Sequence, residues 1–166
     1  SSPSRGLGDV YKRQNFYSIE EKESRFKTLL KSDEDRRFRD KINYFYSKFK
    51  LSLGDTIGSE KHLKKSLETL TQDKYLKSNI YELFAENRMN QIDFVEAGKY
   101  FDSTLQNLDE KSLKFRKLKR KKEKLTDIIN YEKTIIKADS IILLMKKSPE
   151  EQIRHIESYI SNLKKS

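Results

Sequence analysis

The chain has 166 residues, 34% of them hydrophobic and 37% charged, with five Gly, two Pro, no Cys and a formal net charge of +10. Without cysteine, a thiol nucleophile, a disulfide framework and a cysteine-ligated zinc site are excluded. The few glycines and prolines argue against a sandwich or barrel, and so polar a composition suits stacked helices that each bury one stripe. No apolar run approaches the roughly 18 residues of a membrane span.

The first fourteen residues have an unusual origin. Read back into DNA, residues 9–14 give GAT GTG TAT AAG AGA CAG, the transposase end of a common sequencing-library adapter, and residues 4–8 fit the part upstream of it. We therefore expect residues 1–14 to be a translated artefact or a disordered tail. Residues 15–166 are then a helical repeat domain within a longer protein. The alternative is a genuine basic N-terminal tail.

Hydrophobic periodicity predicts three helices in the first half of the chain. Ser18 and Glu21 form a capping box that starts a helix near 18–31. A second helix begins at residues 32–35 and ends at residues 54–55. Its apolar residues are spaced by three and four, which predicts a buried stripe of Phe38, Ile42, Phe45, Phe49 and Leu53. A third helix opens at residues 58–59, with its inward positions at Leu63, Leu67 and Leu70.

Four further segments follow a break at residues 71–73. The fourth helix places Leu76, Ile80 and Phe84 inward, and the fifth follows a turn at residues 90–93. A stretch without Gly or Pro then reaches from residue 112 to about residue 147. It is one helix or two, with Thr126-Asp127 as a candidate internal cap. Ser148 and Pro149 start a last helix, whose inner face is predicted to hold Ile153, Ile156, Ile160 and Leu163.

Helices of this length joined by short breaks predict antiparallel hairpins. From residue 93 to 105 the order Asp-Phe-x-x-Ala-x-x-x-Phe-x-x-x-Leu resembles the second helix of a tetratricopeptide repeat, and a weaker copy at Ser59, Leu63 and Leu67 lies 38 residues earlier. We predict an all-α fold of tetratricopeptide-like antiparallel helical hairpins stacked as a short solenoid. An ordinary helical bundle is the alternative. The residues expected to pack the repeat are Ile80, Phe84, Phe94, Ala97, Phe101 and Leu105.

A more specific resemblance begins at residue 97. It rests on five segments in this order: AGKYFDSTL at 97–105, LKRK at 118–121, LTDIINYE at 125–132, DSII at 139–142 and SPEEQ at 148–152. The chain resembles the tetratricopeptide lipoprotein of the type IX secretion and gliding-motility apparatus, best over residues 78–166. The resemblance implies a periplasmic protein, tethered to the outer membrane by lipid, that helps to couple a secretion channel to an inner-membrane motor. It implies no catalytic residues.

Basic residues concentrate between Lys111 and Lys124, where nine Lys or Arg accompany one Glu. Successive helical residues point 100° apart, so we expect the charges to surround the helix. Such a segment can dock an acidic protein or anionic lipid, bind phosphates of nucleic acid, or simply be solvated. Nucleic acid is the less favoured partner, because only Phe115 could stack on a base. The candidate docking residues are Lys117, Lys119, Arg120, Lys121 and Lys122.

An aromatic cluster at residues 44–49 supplies the other candidate surface. The predicted stripe assigns Phe45 and Phe49 to the core. Tyr44 and Tyr46 flank this stripe, which makes them candidate partner-binding residues that line a groove. Core packing is the favoured interpretation of this cluster, and the partner-binding groove is the alternative.

Catalysis, metal binding and cofactor binding have no support in the sequence. The two histidines, His62 and His155, are far apart, whereas a metal site needs several ligands at short spacing. Ser103 and Ser140 have no neighbouring base or nucleophile turn, and no glycine-rich phosphate loop is present. We therefore expect a non-catalytic protein–protein interaction scaffold that binds other protein subunits. The alternative function is a basic helical nucleic-acid-binding protein.

Overall fold

The computed structural model describes residues 17–70 and 72–166, and these residues are helical with no strand among them. The all-α prediction is confirmed, while the predictions for residues 1–14 lie outside the described residues. The elements are α1 (Ile19–Lys31), a 3₁₀ turn (Arg36–Phe38), α2 (Arg39–Ser52), α3 (Thr56–Glu68), α4 (Lys74–Asn90), α5 (Phe94–Gln106), α6 (Leu113–Met145) and α7 (Pro149–Lys165). None of the described helices is both long and apolar enough to cross a bilayer.

The chain divides into two compact units, the first ending at Leu118 and the second beginning at Lys119. In the first unit, α2 packs along α3 and α4 packs along α5, so each pair forms an antiparallel hairpin. Lighter contacts join α1 to α2 and α3 to α4. The first unit is therefore a chain of helical hairpins, each touching the next through one helix.

The two hairpins turn in the same way, 38 residues apart. Gly54 and Ile92 both adopt a positive φ, of 77° and 60°. The next residue is an aspartate in each turn: Asp55 N donates to Lys50 O over 3.0 Å, and Asp93 N donates to Arg88 O over 2.9 Å. Both aspartates also cap the following helix, since their side chains accept backbone N–H groups three residues on. The 38-residue spacing seen in the sequence is therefore a repeat of structure.

Buried positions repeat at the same interval. Small and large buried residues follow one another in the same order in the two hairpins. The fully buried equivalents in α3 and α5 are Ser59 and Ala97, Leu63 and Phe101, and Ser66 and Thr104. In α2 and α4 they are Tyr46 and Phe84, and Ser47 and Ala85. Among the residues expected to pack the repeat, Ile80, Phe84, Ala97 and Phe101 are buried, and Phe94 and Leu105 are half-buried.

Ion pairs at equivalent places tie each hairpin to the helix before it. Lys50 Nζ of α2 lies 2.5 Å from Glu23 Oε1 of α1, and Arg88 of α4 lies 3.1 Å from Glu60 of α3. Tyr46 also donates its hydroxyl to Glu23 over 2.9 Å. The bonds from Lys50 and Tyr46 lower the pKa of the Glu23 carboxyl. These contacts fix the angle at which α1 and α3 meet the hairpins that follow them.

The predicted stripe of α2 is wrong by about one residue in phase. Phe45 is 55% exposed, and Phe38 and Leu53 are also exposed, whereas Tyr46 is buried. The cause is that α2 is held by polar as well as apolar contacts. Asn43 of α2 meets His62 of α3, with Asn43 Oδ1 2.9 Å from His62 Nδ1. The spacing of apolar residues alone cannot predict a buried helix face that contains polar residues. The buried residues of α2 are Asp40, Asn43, Tyr46 and Ser47.

Two predicted helix starts also differ from the structure. Residues 36–38 form a 3₁₀ turn, so α2 begins only at Arg39. Asp55 caps α3, which starts at Thr56 and not at residues 58–59. By contrast, the capping box of α1 forms as predicted, and Ser148 is the N-cap of α7 with Pro149 in its first turn, also as predicted. The structure adds that Ser148 and Glu151 form a second capping box. The long segment is one helix, in which Thr126 donates to Lys122 O and caps nothing.

The second unit contains the rest of α6 and α7, and little of it is buried. Leu125 is 2% exposed. Residues 126–166 are exposed apart from Ile129, Leu144 and Gln152, which are half-buried. The inner face predicted for α7 is therefore wrong for the described residues: spacing identified the apolar side of the helix, yet nothing covers it. The side chains concerned are Ile153, Ile156, Ile160 and Leu163, which are 46–57% exposed.

The left-handed conformation of Ile92 leads to a stability prediction. A β-branched residue at positive φ is strained by roughly 1–2 kcal/mol, while Gly adopts it freely. Ile92 is also 74% exposed, so its removal sacrifices little apolar burial. We expect Ile92→Gly to raise the free energy of unfolding by about 0.5–1 kcal/mol, after allowance for the entropy of Gly in the unfolded chain.

Urea denaturation followed by circular dichroism measures this change. Gly54→Ala is the matched variant at the equivalent position of the other turn. A Cβ at Gly54 would meet no atom within 4 Å, so any loss there comes from the backbone alone. We expect Gly54→Ala to lower the free energy of unfolding by about 1 kcal/mol. A lower stability for Ile92→Gly would show that Ile92 makes contacts worth more than its strain.

Candidate partner-binding surfaces

Side chains of α2, α4 and the start of α6 form one surface around Tyr75 and Glu82 of α4, both of which, after burial, raise the pKa of Tyr44 of α2. Lys114 of α6 connects this surface: its Nζ lies 2.7 Å from Glu82 Oε2 and 2.5 Å from Asn79 Oδ1. The same ammonium lies 5.2 Å from the centre of the Tyr75 ring. We call the surface made by Tyr44, Phe45, Tyr75, Asn79, Glu82 and Lys114 the α2–α4 face. All of it belongs to the first unit.

Tyr44 sits at the centre of the α2–α4 face. Burial, and then the charges of Glu82 and Glu86, raise the pKa of the Tyr44 hydroxyl. The Tyr44 ring packs edge-on against the Phe45 ring, with 5.4 Å between their centroids. Lys48 Nζ lies 5.8 Å from the centroid of the Tyr44 ring. The Tyr44 hydroxyl can therefore donate a hydrogen bond on a surface that also carries Glu82 and Lys114.

Two aromatic side chains on this face are open to solvent. Phe45 is 55% exposed and Tyr75 is 63% exposed. Exposed aromatic residues beside charged groups are the chemistry of binding hot spots. Sequence reasoning assigned Phe45 to the core and did not select Tyr75. The available signal was that Tyr75 falls outside the register of Leu76 and Ile80, immediately after the Asp73 cap.

Tyr46, the other tyrosine predicted to bind a partner, is 2% exposed. Its ring stacks on Phe26 of α1, with 4.7 Å between centroids, and on His62 of α3 at 4.0 Å. Its hydroxyl is bonded to Glu23, and the pKa of this hydroxyl is raised to about 12, chiefly by burial. Tyr46 therefore joins three helices and cannot contact a partner in this structure. The prediction for Tyr46 is corrected, and Tyr44 remains a candidate.

The buried imidazole of His62 has a structural role. Burial, followed by the charges of Lys65 and Lys61, lowers the pKa of His62 from 6.5 to about 4. The ring is therefore neutral at pH 7 and is held by Asn43. Among the described residues, no group of three or more His, Asp or Glu is placed to hold a metal ion.

The basic segment lies on α6. Lys117, Lys119, Arg120 and Lys121 are exposed, while Lys122 is half-exposed. Lys122 lies on the same side of the helix as the buried residues Leu118 and Leu125, at spacings of four and three. The charges thus cover most of the helix circumference and leave one narrow apolar line. This arrangement agrees with the expected spread of charge around the axis and offers no single basic stripe.

The fold and these surfaces define an all-helical protein of repeated hairpins with an exposed aromatic face. No protein-family model matches the chain, and no curated protein matches its sequence.

Proposed function

We propose that the chain is a non-catalytic protein–protein interaction scaffold of the tetratricopeptide type. The observation that carries the proposal is the 38-residue recurrence of one hairpin, with its turn, its caps and its buried positions, beside the exposed aromatic α2–α4 face. Repeated hairpins of this kind stack side by side and present the first helix of each pair as a continuous binding surface. The resemblance of residues 78–166 supports a place in a bacterial secretion and gliding-motility complex, in the periplasm at the outer membrane.

The chemistry of the α2–α4 face suits a protein segment. Phe45 of α2 and Tyr75 of α4 supply two apolar anchors, and Tyr44, whose ring packs against Phe45, supplies a hydroxyl donor. Glu82 and Lys114 form a charged pair beside Tyr75. A helix or an extended segment lying across α2 and α4 could bury both aromatic rings, while its polar groups meet this charged rim.

The proposal is tested by measuring the affinity of the full chain for individual subunits of the type IX secretion apparatus. We expect one of them to bind, and Phe45→Ala or Tyr75→Ala to weaken that binding about 10- to 100-fold, because a buried aromatic anchor contributes about 1.4–3 kcal/mol. Tyr131→Ala is the matched control, since Tyr131 is 68% exposed but belongs to the second unit. Binding that is equally strong in all three variants would remove the α2–α4 face from the proposal.

Nucleic acid is the alternative partner, favoured by the exposed lysine and arginine side chains of the basic segment. Fluorescence anisotropy with labelled duplex DNA and single-stranded RNA, from about 50 to 200 mM salt, separates the two functions. Under the scaffold proposal, binding is absent or vanishes as salt rises. Micromolar binding that persists at the higher salt, and is abolished by neutralising Lys119, Arg120 and Lys121 together, would replace the scaffold with a nucleic-acid-binding protein.

A further inference from the structure

Helix α7 is well capped and has no partner among the described residues. Its capping box and its proline at the first helical turn define a firm start, and none of its side chains is buried. An isolated helix of 17 residues is only marginally stable in water, and most of the stability of a protein helix comes from packing of its apolar face. The apolar face of α7 therefore needs a surface to cover it.

The spacing on this face is that of a helical seam. Ile153, Ile156, Ile160 and Leu163 follow one another at three, four and three residues, as apolar positions do in coiled coils. A second stripe of the same kind runs along the distal half of α6. Its members are Ile128, Tyr131, Ile135, Ala138, Ile142 and Met145.

Many large apolar side chains of this segment are exposed. Thirteen large apolar side chains between Ile128 and Leu163 are 42–72% exposed. A standard stable interface buries about 800 Å² on each partner. Residues 126–166 carry seven basic and six acidic groups, so two copies of this segment would not repel each other strongly.

Charge also selects an orientation. The acids Glu150 and Glu151 lie in the first turn of α7, and Lys164 and Lys165 lie in its last turn. Two parallel copies would bring like charges together at both ends. In an antiparallel pair, the acidic turn of each copy meets the basic turn of the other. The apolar layers then match as well, because Ile153 faces Leu163 and Ile156 faces Ile160 of the second copy.

We infer that a second copy of this chain covers the apolar stripe of α7, its own α7 running antiparallel, and that the stripe of α6 completes the shared core. The inference goes beyond the proposed scaffold function and does not depend on it. A dimer would present two α2–α4 faces on one particle. A partner with two binding segments would then be held more tightly than either face alone could hold it.

The mass of the full chain in solution is the first test, by sedimentation equilibrium from about 1 to 100 μM. We expect the mass to rise from 19.8 kDa towards twice that value. Ile156→Glu combined with Ile160→Glu should give a monomer throughout. Ser158→Glu combined with Asn162→Glu is the matched control on the other side of the same helix, and should still dimerise. A monomer at every concentration, or a dimer untouched by the isoleucine variants, would overturn the inference.

Single cysteines test the orientation, because the chain has none of its own. In the antiparallel pair Tyr159 lies near its equivalent, so Tyr159→Cys should form a disulfide-linked dimer on mild oxidation. Leu163 lies opposite Ile153 of the second copy. The two Leu163 residues are therefore ten positions, roughly 15 Å, apart along the helix axis, beyond the reach of a disulfide. Cross-linking of Leu163→Cys without cross-linking of Tyr159→Cys would show a parallel pair and contradict the inference.

Discussion

Replacement of Phe101 by alanine is expected to lower the free energy of unfolding by about 3–5 kcal/mol. Phe101 is fully buried in α5, at the position equivalent to Leu63 of α3. The surroundings of a buried side chain relax only partially into the space that it leaves. The loss thus includes both the transfer of the ring and the cost of a cavity. It is comparable with the whole stability of a small domain, which is about 5–15 kcal/mol.

Urea denaturation followed by circular dichroism measures the effect. Phe101→Leu keeps part of the volume and should lose about 1–1.5 kcal/mol, which gives a usable value if the alanine variant does not fold. Val95→Ala is the control on the same helix, because Val95 is 53% exposed. A loss below about 1 kcal/mol for Phe101→Ala would mean that the hairpin does not close around this ring as the structure shows.

The second large effect is expected from acid. The folded chain binds a proton at His62 only near pH 4, whereas the unfolded chain binds it near pH 6.5. Between these values the unfolded chain carries more protons, so the free energy of unfolding falls as the pH falls. The stability is fully present above pH 6.5, and about 2–3 kcal/mol of it is lost by pH 4.

The contribution of His62 is isolated by comparing pH profiles of stability. His62→Gln keeps a polar side chain beside Asn43 and has no proton to gain, so its profile should be flatter between pH 6.5 and 4. His155→Gln is the matched control, because its side chain is exposed on α7. Glu23 affects stability at lower pH than His62 does. Because the pKa of the Glu23 carboxyl is lowered in the folded chain, the stability that it adds is lost only as the pH falls below 4.5, the ordinary pKa of a glutamate. Identical slopes in wild type and His62→Gln would contradict this account.

The sequence predicted features that depend on near neighbours in the chain. The capping box at Ser18 and the N-cap at Ser148 formed because each side chain finds its backbone partner three residues away. The 38-residue repeat was visible because buried small and large residues keep their order in both hairpins. These features need no knowledge of what lies across the core.

The phase of α2 and the exposure of α7 could not be predicted in this way. The phase of α2 depends on polar partners from α1 and α3, such as Glu23 and His62, that are distant in sequence. For α7, apolar spacing shows which side of the helix prefers burial, but not whether a neighbour covers it. Tyr44 of the candidate face was predicted, but Phe45 was assigned to the core for the same reason, because its exposure follows from the rotation of α2.

The light contact between the two hairpins has a consequence for how the first unit opens. The hairpins meet through α3 and α4, with one ion pair, Glu60 with Arg88, among the contacts at this junction. Each hairpin has its own capped turn and its own buried residues. Cooperativity along the first unit is then set by nearest neighbours, so one hairpin can exchange its amide hydrogens with solvent while the other stays closed. A chain built in this way can open locally without losing its whole fold.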